Sequence, residues 1–531
     1  MSHESQRPSV QVQLRALMAS AALLLLIYVA LLAAFSKTSF PTHMATATRW
    51  PVLMDKPVGE DGYYMLTVAE NIASTGHIRY NGGVPATGIQ PLATVLFAGL
   101  DWLVHAFGGG VPALIRSVMG FGTVLLVVFA MQIRRIAMSL SPDGIRSQAG
   151  ALAFLLTLFS FTLFRLFTYG LETGIYLVLI AACFQVTLRI AKKQRTDWSD
   201  AVLLGLAAGF AGEARIDFGL LFAILLATLL LYRWISLAKT VVAGSIALLV
   251  VSPWFLFVHR VSGSWLPTSG KAESTMITAA ALPARLSTML VAVAGEVMPW
   301  CYAVRSNLTL LVAAVSAGLL VWFVAARRDH GQLLRKILLS RLGVLWVVCL
   351  LSLLPIYLVL FNATHFYYRY MAPLAVLTLP VCAIALAQSD RIRRHMSATA
   401  VVLCAAFCFW TAGSLHTGHI GNSQTLAAGY VQQNFSHAHV GAFQSGVMGF
   451  FNPNVENLDG KLNQGALNAT ARHQLPDFID SEGINVLVDW PSVLQGALPP
   501  SYLQSEWKPC PVPMVGDAES VCLIRKSAEA R

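Results

Sequence analysis

The chain has 531 residues, of which 56% are hydrophobic and only 12% charged. Soluble domains carry about a quarter charged residues, so this composition excludes an ordinary soluble enzyme, and it is too apolar for a disordered chain. The net charge of +11 comes from 37 basic and 26 acidic residues; in a soluble protein such an excess points to nucleic acid, whereas in a chain this apolar its distribution reports membrane topology and no nucleic acid is expected.

A helix that crosses a bilayer needs roughly 20 mostly apolar residues. About 11 stretches qualify, at 15–35, 113–132, 148–163, 172–189, 200–214, 216–232, 240–258, 307–326, 342–361, 371–388 and 397–414, with 148–163 and 200–214 short or interrupted. If the N-terminus is cytoplasmic, the clusters Arg134/Arg135/Arg146, Arg189/Lys192/Lys193/Arg195, Arg327/Arg328/Arg335/Lys336/Arg341 and Arg391/Arg393/Arg394 all fall on one side, on alternate short loops. The excess of basic residues on cytosolic loops makes that side the inside. The apolar run of the first span is longer than a signal-peptide core, so it reads as a retained span. Gly205 and Gly209 lie in an apolar stretch and point to close helix packing. No G-x-x-x-x-G-K-[ST] phosphate loop is present.

The loop mass lies on the other face: a first loop at 36–112, a second at 259–306 and a tail at 416–531, the transmembrane module being 1–415. Residues 58–76 predict a short amphipathic helix, with Glu60 and Asp61 in its first turn and Gly76 as its cap. Tyr64, Met65, Val68, Ala69 and Ile72 fall at helical spacing. Adjacent helical residues diverge, so one carboxylate is expected to face a membrane-side cavity and the other water. Simple compensation of the helix dipole would also place acids here. Residues 91–107, with Asp101 and His105, read as a helix in the outer interface, His105 being its polar tip.

Further charged residues stand at outer boundaries. Glu172 opens a span, Arg215 and Asp217 occupy a break between apolar segments, Lys271 follows a Pro267-Thr-Ser-Gly turn, and Arg369 lies among Tyr367, Tyr368 and Tyr370. At membrane depth such groups are costly unless paired and are functional candidates by default. Their structural alternatives are a Glu172–Arg165 pair, a Glu213/Arg215/Asp217 cluster, a snorkelling Arg369 and a surface Lys271.

The tail alternates a helix near 423–434, strands at 439–443 and 455–458, helices over 463–481, and strands at 484–489 and 520–525. That pattern predicts a small α/β domain with its own core. Gly441–Gly446 reads as a strand-to-helix turn or as an acceptor loop carrying Gln444. Cys510 and Cys522 are expected to form a disulfide, since both lie outside, where disulfides persist. The other six cysteines are packing residues. The 13 histidines show no H-x-x-x-H spacing, so no metal site is called for, and His437-Ala-His439 is a weak candidate.

The runs EDGYYMLTVAENIA (60–73) and TGIQPL (87–92) together resemble the first-loop signature of bacterial GT-C membrane glycosyltransferases. YGLETGIY (169–176), ARIDF (214–218), Pro253-Trp254 with LPTSGK (266–271), HFYYRYMAP (365–373), GAFQSGVMG (441–449) and ENLDG (456–460) fit the same group in register. The subgroup they resemble most is the mycobacterial terminal arabinofuranosyltransferases, with lipid A aminoarabinose transferases and protein mannosyltransferases more distant. The resemblance implies a GT-C fold: a polytopic α-helical membrane protein of the bacterial inner (plasma) membrane with a C-terminal periplasmic α/β domain. It also implies an inverting transferase that moves a sugar from a polyprenyl-phosphate donor to a cell-envelope glycan, lipid or protein, with no cofactor called for, although some relatives use a divalent ion.

Where relatives often carry Asp-Asp, this chain has Glu60-Asp61; either is the candidate base, Asp61 by preference. Arg215, Lys271 and Arg369 are the candidates for the donor phosphate. Glu172, Asp217, Tyr64, His365, Tyr368, Gln90 and Gln444 are those for the remaining substrate contacts. The competing reading is a transporter or flippase of lipid-linked sugars. Such proteins usually show internal repeats and short loops on both faces, and neither is visible here.

Overall fold

The structure is a computed structural model that describes residues 7–35, 58–274, 281–297, 328–361, 364–417, 420–512, 514 and 520–527. The expected span at 307–326, the stretch 36–57 of the first loop and Cys301 lie outside the described residues.

Among the described residues six helices are long and apolar enough to cross a membrane: Gln11–Leu31 within α1 (Arg7–Phe35), α4 (Val111–Leu140), α7 (Thr173–Lys193), α10 (Leu237–Ser262), Arg341–Val359 and Tyr367–Ala387. A seventh is broken: α5 (Arg146–Leu158) and α6 (Phe161–Thr168) meet at 57°, and Ser160 caps α6 by accepting from the Leu163 N–H at 3.3 Å. The expected spans at 200–214, 216–232 and 397–414 are shorter apolar helices or fall short of that length and hydropathy, namely α8 (Trp198–Ala214), α9 (Phe218–Leu231) and Met396–Thr417. Of the about 11 expected spans, six or seven are met among the described residues; the segments on either side of Ser160 and of Arg215 are each shorter than 18 residues, and the stretch 307–326 lies outside those residues.

α8 lies against α10, where Gly205 faces the Ala243 backbone and Gly209 faces Val250 so closely that neither position has room for a side chain. The close-packing reading of the glycine pair is what the helices show.

At one end of the bundle stand α2 (Glu60–Thr75), α3 (Pro91–Ala106), α11 (Thr268–Glu273) and the tail. α2 ends at Gly76, whose N–H closes on the Ile72 carbonyl at 2.9 Å. In α3, His105 Nδ1 lies 3.0 Å from Asp101 Oδ1, with the imidazole mostly exposed.

The tail begins with the helix Ile420–Asn434 and builds a five-stranded sheet from β1 (Val440–Ala442), β2 (Val455–Asn457), β3 (Val486–Asp489), β4 (Trp507–Pro509) and β5 (Val521–Arg525) in the order β2-β1-β3-β5-β4. β1 pairs parallel with β2 and β3, and β5 pairs antiparallel with β3 and β4. β1 and β3 are buried along their whole length, as central parallel strands covered on both faces should be. Phe443, Leu458, Ile484, Leu487 and Trp507 form a core separate from that of the bundle, whereas Val440, Val455 and Val486 join the main core. The short strand β4 and the helices Pro491–Ala497 and Pro500–Glu506 carry no clear periodicity and were not expected from the sequence. A disulfide joins Cys510 to Cys522, with Cα atoms 5.4 Å apart.

Candidate active site

The first turn of α2 is fixed by one close approach. Gly59 donates its N–H to the Tyr169 carbonyl at 3.0 Å, and a Cβ at Gly59 would stand 2.2 Å from the Tyr169 ring. Only a residue without a side chain lets α2 begin so close to the segment that carries Glu172. Asp61 is thereby brought to the mouth of a cavity of about 340 Å³, while Glu60 points elsewhere.

Two arginines are built into the wall. Arg369 grips Glu172 with both nitrogen branches, Nη2 to Oε2 at 2.6 Å and Nε to Oε1 at 3.0 Å, and turns Nη1 toward Asp61 Oδ2 at 3.7 Å. Glu172 is fully buried. Its partner is therefore Arg369 and not Arg165, whose guanidinium lies over the Tyr169 ring. Arg215 binds Asp217 through Nη2 at 2.8 Å and Nε at 3.3 Å, donates Nη1 to the Arg369 carbonyl at 3.1 Å, and lies 4.9 Å from the ring centres of both Tyr176 and Tyr370. Buried charges persist only when paired and hydrogen-bonded, and both arginines meet that condition. Tyr357 completes the cluster by contacting Arg215 and donating to Asp217.

The third cation comes from the tail. Lys461 Nζ lies 3.1 Å from Glu273 Oε1, 3.8 Å from Asp459 Oδ2 and 3.9 Å from Asp61 Oδ1. Two segments hold it: a Cβ at Gly88 would stand 1.7 Å from the Lys461 carbonyl, Thr268 Oγ1 donates to that carbonyl, and Thr87 and Thr268 share a hydrogen bond of 3.2 Å. The three surrounding carboxylates raise the Lys461 ammonium above its usual range, against the opposing effect of burial.

Asp61 stands apart from these neighbours. Its two oxygens lie at ion-pair distance from Arg369 and Lys461, yet among the described residues no hydrogen bond reaches its carboxylate. Glu60 is the opposite case. Both of its oxygens accept backbone N–H groups, from Gly446 and from Val447, at the start of the tail helix Gly446–Phe451. Burial outweighs those hydrogen bonds and pushes its carboxyl up to about 8. The expectation of one cavity-facing and one solvated acid is thus corrected: the second acid is half-buried and hydrogen-bonded to the tail.

The other candidates divide. Tyr64 and Gln90 line the cavity with Glu172, Asp217 and Arg215. The Tyr64 hydroxyl also donates to the Phe443 carbonyl at 3.1 Å and accepts the Ser445 N–H at 3.2 Å, tying loop to tail. Lys271 is on α11 but not on the cavity wall; its loop contributes Pro267, Ser269, Gly270 and Glu273 instead. Gln444 lies off the cavity, its N–H donated to Asp489 Oδ2 at 2.9 Å, so its segment is a strand-to-helix turn. Tyr368 packs beside Gly295 rather than on the wall. The His365 side chain lies outside the described residues.

Lys461, Glu273 and Tyr357 escaped the sequence reading, whereas Tyr370 was named beside Arg369. ENLDG stops one residue short of Lys461, so the motif carried the signal; Tyr357 lies inside an apolar run and carried none.

One wall is apolar. Ile216, Leu220, Trp254 and Ile356 line it, and Ile216 and Leu220 are also exposed on the outside of the bundle. The apolar wall of the cavity is therefore continuous with the apolar outside of the bundle. Among the described residues no group of three or more histidine, cysteine, aspartate or glutamate side chains is placed to hold a metal ion, and His439 is engaged with Glu456 at 2.9 Å and the Glu482 carbonyl at 2.9 Å.

No protein-family model matches the sequence, and no curated protein matches it. The fold has solved counterparts. ArnT from Cupriavidus metallidurans in the apo state aligns over 95% of this chain and 98% of its own, at 14% identity and a TM-score of 0.59. The same protein bound to undecaprenyl phosphate aligns over 88% and 93%, at 14% identity and a TM-score of 0.53. The Archaeoglobus fulgidus oligosaccharyltransferase in the apo form aligns over 90% of this chain and 70% of its own, at 10% identity and a TM-score of 0.51. At these identities the likeness shows the fold alone, which this chain shares with ArnT and the archaeal oligosaccharyltransferase.

Proposed function

We propose that the chain is an inverting glycosyltransferase that moves a sugar from a polyprenyl-phosphate donor to a hydroxyl of a cell-envelope glycan, lipid or protein. The resemblance of its motifs favours a furanose such as arabinose. On this reading the cavity faces the periplasm of a bacterial inner membrane, and the basic loops lie in the cytosol.

The observation that carries the reading is the position of Asp61. An acceptor proton needs a carboxylate with free lone pairs at hydrogen-bond reach of the substrate, and Asp61 offers them on a cavity that also holds positive charge. The acceptor oxygen attacks the anomeric carbon as Asp61 takes its proton. The bond from that carbon to the phosphate oxygen breaks on the opposite side, and its electron pair leaves with the polyprenyl phosphate. Arg369 Nη1, and Lys461 Nζ beside its Glu273 contact, are the cationic groups that face Asp61 and would stabilise that leaving charge. Arg215, committed to Asp217 and to the Arg369 carbonyl, is a positioning residue that holds the Arg369 backbone. The apolar wall suits a polyprenyl tail that stays in the bilayer, and a fold counterpart was solved with undecaprenyl phosphate.

The test is donor turnover by purified protein in lipid, comparing the wild type with Asp61→Asn and Glu60→Gln. Loss in Asp61→Asn with transfer retained in Glu60→Gln is the expected result. Equal transfer in Asp61→Asn, or movement of intact lipid-linked sugar across the bilayer without transfer, would overturn the assignment.

A further inference from the structure

A second cavity, of about 420 Å³, lies at the far end of α7, lined by Arg135 of α4, Arg189 and Lys192 of α7, and Leu203 and Ala207 of α8. Its polar lining is completed by Ser139 and Gln185, and none of its lining residues is acidic. Among the described residues the one carboxylate within 4.0 Å of these cations is Asp200, 3.9 Å from Arg189, and it is already engaged by Lys193 at 3.3 Å. Three cations therefore converge with little compensation.

The surroundings say what kind of anion fits. Along α4 the residues Met131, Val128 and Val124 precede Arg135 at spacings of four, three and four and are all exposed, forming one apolar stripe. On α8, Leu203, Leu206 and Phe210 form a second exposed apolar stripe. α7 packs between these two helices. Because α4 ends and α8 begins beside this cavity, both stripes run from the basic residues toward the middle of the bundle.

We propose that this cavity binds the phosphate headgroup of an anionic diacyl phospholipid, with one acyl chain on each stripe. Basic pockets between membrane helices on the cytosolic side bind anionic headgroups through local charge, and here charge and apolar surface are continuous. A free phosphate shares the headgroup chemistry but makes no use of the stripes. The inference is independent of the catalytic reading, since no residue is common to the two cavities.

The test is native mass spectrometry of the delipidated full-length protein, titrated separately with phosphatidylglycerol, phosphatidylcholine and millimolar inorganic phosphate. The variants are the triple Arg135→Ala/Arg189→Ala/Lys192→Ala and a control triple, Arg391→Ala/Arg393→Ala/Arg394→Ala, which removes equal charge elsewhere; thermal melts check folding. Three contacts each worth about fivefold predict a loss of affinity for phosphatidylglycerol on the order of a hundredfold in the first triple. The control should stay within about threefold of the wild type, because a more distant surface charge acts only through a screened field. Phosphatidylcholine should bind the wild type more weakly than phosphatidylglycerol. Equal losses in both triples, no loss in either, or displacement of the lipid by inorganic phosphate alone would overturn the proposal.

Discussion

At the start of α7, Glu172 sits fully buried in the grip of Arg369, and every cation on that cavity has a carboxylate within 3.1 Å. At its other end, about 30 Å away by the rise of the helix, Arg189 and Lys192 are exposed and share little with any acid. Both cavities contain three cations, so residue type does not separate them; burial does. Buried guanidinium groups need partners to exist at all, and the partners then fix their geometry, which is what catalysis requires. Exposed cations need none and keep their charge available to any anion that comes to the surface.

Mutation should expose this asymmetry. The largest effect belongs to Asp61→Asn, which removes the base and should lower turnover by roughly 10² to 10⁴ with an unchanged melting temperature. A melt that shifts strongly would mean that Asp61 is structural. Next is Arg369→Met, which leaves the buried Glu172 with only the long contact to Arg215 Nε at 3.9 Å and should cost about 3 kcal/mol of stability. The double variant Arg369→Met/Glu172→Gln should recover part of that loss in denaturation measurements, though not the activity.

Lys461→Ala should lower kcat/KM by roughly ten- to a hundredfold, the worth of one charge-assisted contact to phosphate. Turnover equal to that of the wild type would leave the leaving-group role to Arg369 alone.

Glu60 makes a pH prediction. Its folded-state carboxyl is raised to about 8 from an ordinary value of 4.5, and Asp489 beneath the same turn is raised to about 6, in each case chiefly by burial. For a raised acid the folded state holds the extra proton, so its contribution is complete below the ordinary carboxylate range and fades as pH rises through the folded value. Melting temperature should therefore fall between about pH 4.5 and 8, and Glu60→Gln should make that fall shallower above about pH 6. An unchanged slope in Glu60→Gln would separate Glu60 from the docking of the tail.

The smallest effect is expected at the other end of α7. Arg189→Ala alone should change stability by no more than about 0.5 kcal/mol, as exposed substitutions usually do. A larger cost would show that its long contact with Asp200 is structural and would blur the contrast.

Much of this architecture was legible in the residues themselves. The amphipathic run at 58–76, the Gly205/Gly209 packing face and the order of helices and strands from 420 to 489 all follow from local periodicity, which needs no knowledge of the rest of the chain. The division of Glu60 from Asp61 was only half legible: helical geometry separates their directions, but what lies in each direction comes from segments nearly 400 positions away, the helix Gly446–Phe451 for one acid and Lys461 for the other. The same distance hid Lys461 behind Lys271, since LPTSGK supplies Thr268 as a clamp and ENLDG leads to the lysine that reaches the cavity.

Composition and period thus determined that this chain is a helical membrane protein with a small α/β tail and acids on its first loop, because hydrophobicity and backbone geometry act between near neighbours. Which charges meet was decided only by tertiary structure. A buried ion pair is a property of two segments and of the low-polarity space between them, and neither segment records its partner.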